Sequence, residues 1–344
     1  MTKNTISRRS FIRRSSLAGL TIGVLPQLAL RAEDAKPVLG SGAFQYEVIH
    51  DWGQLPSSIK YGNTHGVCED SQRRIYIKHT VGQGSEKDDA IVVFDQQGKF
   101  VRSWGKEFKG GAHGLHLNRE GNEEFLYMAD PNRHLMVKTD LEGKEILRLG
   151  YPEESGLYNS GDEYRPTNVA TAPNGDFYVS DGYGKSWIHQ YDKNAKYIRS
   201  FGGPGKEKGQ TSCSHGLMVD TRGDKPLLVV ADRSNRRLQY FTLDGRHHRL
   251  VTEELRAPCH FHQHNGVLLI PDLESRVTLF DKNNKLIAHL GDGGHFGPLR
   301  AKPRSEFIAG KFIAPHSAYF DQDGNIFVVE WVEVGRVTKL RKLS

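Results

Sequence analysis

The sequence predicts an all-β chain folded as a six-bladed propeller with four strands per blade, and three observations carry that expectation. One segment pattern recurs six times at a period of 45 to 56 residues. Within each copy apolar and polar residues alternate with strand period, and the 3.6-residue period of a helical solenoid is absent. The last copy supplies three strands before Ser344, while a matching fourth lies near the start of the chain.

The copies run from His65 (HGVCEDSQRRIYIKH), His113 (HGLHLNREGNEEFLYMAD), Thr167 (TNVATAPNGDFYVSD), His215 (HGLMVDTRGDKPLLVVAD), Cys259 (CHFHQHNGVLLIPD) and His316 (HSAYFDQDGNIFVVE). Each reads as a short strand, a polar turn and a β-rich strand that mostly ends in Asp or Glu. Third strands such as RRLQYFTLDG and fourth strands such as YIRSFG follow. The segment FQYEVIHDWG, from Phe44 to Gly53, resembles those fourth strands and is expected to complete the last blade, leaving no open sheet edge. The architecture is thus expected to be an NHL-type propeller over residues 44–344, after a linker at 33–43.

Residues 1–32 read as a twin-arginine signal peptide, from Ser7-Arg8-Arg9-Ser10-Phe11-Ile12-Arg13 and the apolar run Leu17 to Leu30. That run is shorter than the roughly 20 apolar residues a bilayer span needs. Cleavage after Ala32 is therefore expected, giving a periplasmic or extracellular protein with no membrane span. The whole chain has 47 Lys and Arg against 41 Asp and Glu. The six basic residues of the leader account for that entire excess, so the mature charge is near zero and nucleic acid is excluded as a partner. Three cysteines, Cys68, Cys213 and Cys259, are too few and too odd for a disulfide framework, so the core must stabilise the fold.

Innermost strands of a propeller surround its channel. His65, His113, His215, His260 and His316 recur at that position, with Thr167 or Asn168 in the remaining blade. His113 to His215 is 102 residues and His215 to His316 is 101, which puts these three on alternate blades, roughly 120° apart. Such a trio suits zinc or another divalent transition metal, and three protein ligands leave a position for water or substrate. His65 and His260 fall on the other blades, where they could support the ligands or move protons.

The stretches AHGLHLN…FLYMADPNRHLMVK, PTNVATAPNGDFYVSDGYGKSWIHQY and SCSHGLMVD…LLVVADRSNRRLQYF resemble successive blades of peptidyl-α-hydroxyglycine α-amidating lyase, over most of residues 60–340. The resemblance implies a lyase that releases glyoxylate from a peptide's α-hydroxyglycine and leaves a C-terminal amide. It places the family's zinc histidines on His113, His215 and His316, its catalytic tyrosine on Tyr183 and one active-site arginine on Arg233. The other family arginine falls on Thr80, with Lys78 or His79 as the nearby charge. The acid that helps hold the family's calcium is Ser317 here, which removes a carboxylate from that site. The positions of a family disulfide are Arg165 and Gly184.

Several residues read as scaffold. Asp130, Asp181, Asp232, Asp272 and Glu330 end second strands and are expected to cap turns, with Asp232 and Asp272 paired to Arg236 and Arg276. Cys213 and Cys259 read as small buried residues, Gly202 to Gly205 as a loop between blades, and Trp331 as an aromatic packed between blades. Two functions remain open: an exported metal-dependent carbon–nitrogen lyase acting on a small or peptide-like carbinolamide, or a non-catalytic platform for a ligand or protein partner, its metal structural. A cation from Lys78, Arg165, Arg233 or Arg336 close to Tyr183 would favour the first, and an acid-lined mouth the second.

Overall fold

The computed structural model describes residues 36–294 and 297–343; residues 1–32, read from the sequence as a signal peptide, lie outside the described residues. Six antiparallel sheets are arranged as blades. The first comprises Thr64–Glu69, Ile75–His79, Ile91–Phe94 and Phe100–Trp104, the second Leu115–Glu120, Glu123–Asp130, Leu135–Thr139 and Glu145–Leu149. The third holds Asn168–Thr171, Phe177–Ser180, Trp187–Tyr191 and Tyr197–Gly202, the fourth Ser214–Asp220, Leu227–Asp232, Arg237–Phe241 and His247–Val251. The fifth is His262–His264, Val267–Asp272, Arg276–Phe280 and Leu286–Leu290. In the sixth, Pro315–Phe320, Ile326–Glu330 and Arg336–Lys342 are followed outward by Tyr46–Ile49, which pairs antiparallel with Arg336–Lys342, as the sequence leads one to expect. Val38–Leu39 adds a fifth, two-residue strand to that outer edge. Among the described residues no helix is long and apolar enough to cross a membrane.

Burial explains the patterning. The middle strands are covered on both faces by neighbouring blades, so Ile91, Val92, Val93 and Phe94 are all buried, whereas the outer Phe100–Trp104 is mostly half exposed. Each core lies between two blades: Val67, Ile77, Val92 and Phe94 of the first meet Phe327, Val329 and Val337 of the sixth. Trp52, just after the closing strand, packs edge-on against Phe94 and Phe327 with ring centroids 5.6 and 4.7 Å away.

The acids that end second strands do cap turns. Asp272 accepts the backbone N–H groups of Arg256, Ala257 and Glu274, and Glu330 accepts those of Ile313 and Ala314. The arginine pairing differs from expectation in the fourth blade. Asp232 pairs with Arg237 at 2.6 Å, its cross-strand neighbour, while Arg236 sits at φ 57° in the turn and turns outward to Glu274. The turn residue is rotated off the strand, so the guanidinium one position later meets the acid.

Candidate metal centre

Four histidine rings meet at the channel axis. His113, His215 and His316 form a nearly equilateral triangle, with ring centroids 4.7, 4.8 and 4.8 Å apart. His65 lies 5.2 Å from His113 and 4.5 Å from His316. Ligand atoms of His65, His113 and His316 all lie within 4.8 Å of one another. All four residues are buried.

Every member of the 113, 215 and 316 triangle leans on the next blade. His113 Nδ1 donates to the Thr167 carbonyl (2.6 Å), His215 Nδ1 to that of Cys259 (2.8 Å) and His316 Nδ1 to that of His65 (2.9 Å). A carbonyl only accepts, so each Nδ1 carries the proton and each neutral ring turns an Nε2 lone pair inward. The following glycine makes this approach possible: a Cβ on Gly114 would lie 2.5 Å from the Thr167 oxygen, and one on Gly216 2.3 Å from the Cys259 oxygen. The His-Gly pair is therefore a steric unit.

Tyr183, on the loop after the second strand of the third blade, reaches into this centre. Its hydroxyl is 3.0 Å from His113 Nε2, 3.0 Å from His215 Nε2 and 3.4 Å from Arg233 Nη1. The guanidinium also lies over the phenol ring, 5.3 Å from its centroid. One hydroxyl proton serves only one of the two imidazole lone pairs, so lone pairs outnumber protons here. A donor set of this kind is suited to a divalent transition metal, which fills such lone pairs at once.

The electrostatics agree. Burial holds the His113, His215 and His65 imidazoles well below their ordinary range, and His316 is pushed down to about 3, again mainly by burial, so all stay neutral as ligands must. Burial raises Tyr183 to about 12, with Arg233 pulling the other way. Burial opposes the Arg233 charge, yet its net shift is upward and the guanidinium stays protonated.

The centre opens into a cavity of about 480 Å³ whose lining includes His65, Thr80, Arg165, Tyr183, Arg233 and Trp331, and among the described residues no Asp or Glu lines it. Two wider crevices, of about 560 and 620 Å³, lie among strand turns and touch none of the axial histidines. Trp331 combines the expected packing with a place at the mouth, its ring under the Arg300 guanidinium at 3.0 Å.

The remaining candidates lie around this group. Lys78 is fully buried, donates to the carbonyls of Gly114 (3.1 Å) and Ala129 (2.9 Å), and is pulled down to about 7 by burial. It braces the backbone beside His113 and does not reach Tyr183. His260 meets Ser317 Oγ at 3.2 Å, one residue from His316. Arg336 is ion-paired with Glu330 in the sixth blade. Cys213 and Cys259 flank Arg233, are free, and are pushed up by burial, so they are thiols. Sequence reasoning missed the carbonyl supports. The signal was there in the glycine that follows His113 and His215.

No family model matches the chain. Over 230 residues it is 30% identical to peptidylglycine alpha-amidating monooxygenase of Rattus norvegicus, covering 59% of this chain and 23% of that protein. Over 251 residues it is 30% identical to peptidyl-alpha-hydroxyglycine alpha-amidating lyase 1 of Drosophila melanogaster, covering 62% and 45%. The chain thus spans less than half the length of these two relatives, to which it is homologous at moderate identity. Among solved structures, virginiamycin B lyase from Staphylococcus aureus aligns with a TM-score of 0.54 at 11% identity, over 87% of this chain and 100% of that one. At that identity the likeness is one of fold.

Proposed function

We propose that this chain is an exported, metal-dependent carbon–nitrogen lyase that cleaves a carbinolamide of the kind formed by an α-hydroxylated glycine. His113, His215 and His316 hold the metal, Tyr183 moves the proton and Arg233 steadies it. The observation that carries the reading is the single hydroxyl of Tyr183 set against two metal-facing imidazole nitrogens and a guanidinium. Homology to the amidating lyases supports a lyase-like role. Zinc is the metal proposed, and the twin-arginine leader the route of export.

His113, His215 and His316 would hold a divalent ion that would supply positive charge to the substrate. Burial favours the phenol form of Tyr183, and Arg233 works toward the phenolate. The phenolate oxygen takes the carbinol proton, the O–H electron pair becomes the carbonyl bond, the C–N pair goes to nitrogen as that bond breaks, and Tyr183 returns the same proton to the nitrogen, which leaves as an amide. Arg233 stays charged throughout and holds the tyrosine oxygen in place. The absence of acids among the described lining residues favours an anionic substrate end over a cationic one. Thr80, where the resembled family has an arginine, favours the alternative of a binding platform. Arg233 beside Tyr183 opposes it.

The test is metal analysis of the mature protein beside His215→Ala, followed by assay on an N-acyl-α-hydroxyglycine. About one divalent metal per chain, lost in the variant, with release of glyoxylate and amide, supports the proposal. Metal without turnover favours the binding platform, and no metal in the wild type removes both versions.

A further inference from the structure

The geometry points to His65 as a fourth imidazole ligand, so that the resident metal is held by four nitrogens and substrate enters as an additional donor. This inference rests on the metal centre proposed above and extends it.

Two overlapping triangles share the His113–His316 edge. One is completed by His215, with centroid separations of 4.7 to 4.8 Å, and the other by His65, at 4.5 and 5.2 Å. His65 is buried like the others, 7% exposed against 1 to 4%, and shares the cavity with Tyr183 and Arg233. Its Nδ1 faces His316 Nε2 at 3.4 Å. That is long for a hydrogen bond from a ring N–H, which centres near about 2.9 Å. It matches the roughly 3.3 to 3.4 Å expected between two nitrogens bound at about 2.0 to 2.1 Å to one tetrahedral ion. His316 cannot turn away, because its other nitrogen is fixed on the His65 carbonyl. Residue 65 therefore does two things: its backbone aims one ligand and its ring stands where a further ligand belongs.

Four neutral imidazoles leave the charge of a divalent ion uncompensated, and Arg233 adds to it. A tetrahedral zinc with four protein ligands is a closed, structural site. A centre that keeps both His65 and an open position therefore needs a zinc that expands to five donors when substrate arrives. The chemical class expected at the open position is an anionic oxygen donor.

The experiment loads the full mature protein, His65→Gln, and His260→Gln as a neighbouring control with cobalt(II). It counts bound imidazoles by X-ray absorption and measures metal affinity by chelator competition. Circular dichroism of the metal-free forms checks folding. The expected result is four imidazoles in the wild type and in His260→Gln, three in His65→Gln, and an affinity lower by at least about tenfold in His65→Gln. Three imidazoles and equal affinity in all three proteins overturn the inference while leaving the proposed function standing. A wild type that takes up no metal overturns both.

Discussion

The glycine that follows His113 and His215 shows how one hydrogen atom in place of a methyl shapes the chemistry. Gly216→Ala would set a Cβ 2.3 Å from the carbonyl that holds His215, so either the fifth blade moves or the imidazole loses its support. We expect a loss of about 1 to 3 kcal/mol in stability and at least a tenfold fall in metal affinity, read by thermal unfolding and chelator competition. Gly150→Ala, with nothing within 4 Å of its added Cβ, should change neither. Tyr183→Phe keeps the ring against Arg233 and removes the hydroxyl. It should retain about one metal per chain and lower turnover by at least about 10²-fold, measured on the α-hydroxyglycine substrate. Equal turnover would remove Tyr183 from the chemistry. Spacing in the sequence was enough to bring His113, His215 and His316 together, because residues at one repeat position meet at one height on the axis, but it did not set His65 against His113 and His316. Lys78 was harder to place. Whether a side chain faces the channel or the adjoining blade depends on strand twist and on which neighbouring carbonyls are free, and Lys78 spends its donors on Gly114 and Ala129.

At the level of strands, pairing register decides which charges meet. The buried pair of Arg336 and Glu330 sits across the second and third strands of the sixth blade, with side chains 2% and 0% exposed. Glu330→Ala would strand the guanidinium and free the N–H groups of Ile313 and Ala314, and we expect it to cost about 3 to 5 kcal/mol in denaturant unfolding. Lys78 gives a pH signature to the joint between the first and second blades. Its folded pKa, about 7, lies below the ordinary 10.5 because burial opposes the charge. Between these values the unfolded chain holds the proton and the folded chain does not. The burial penalty is therefore fully present below pH 7 and fades as pH rises toward 10.5. The unfolding midpoint of the wild type relative to Lys78→Met should rise through that window, and a flat difference would contradict the assignment. Strand alternation and turn chemistry made the blades readable from sequence. The Asp232 partner was misplaced by one residue, since a left-handed turn residue at Arg236 shifts the register without altering the composition.

On the scale of the whole molecule, closure rests on Tyr46–Ile49, whose Tyr46 and Val48 are 1% and 3% exposed. Deleting residues 36–49 removes that burial, worth about 3 to 6 kcal/mol, and bares the Arg336–Lys342 edge. The shortened chain should melt earlier and self-associate in size-exclusion chromatography. Closure was legible because the last repeat was visibly one strand short, whereas the added strand Val38–Leu39 was hidden in a segment too brief to show alternation. The support of each ligand by a carbonyl one blade ahead has a larger meaning. The repeating unit is two blades, one bearing the imidazole and one bearing its brace, so the triangle of His113, His215 and His316 is a pseudo-trimer within the ring. Ser317, in place of the glycine of the other two units, and the unrepeated His65, Tyr183 and Arg233 break that symmetry. Three copies of one two-blade unit would therefore regenerate the three imidazoles and their braces, though not Tyr183 or Arg233, and a designed homotrimer of such a fragment should do the same.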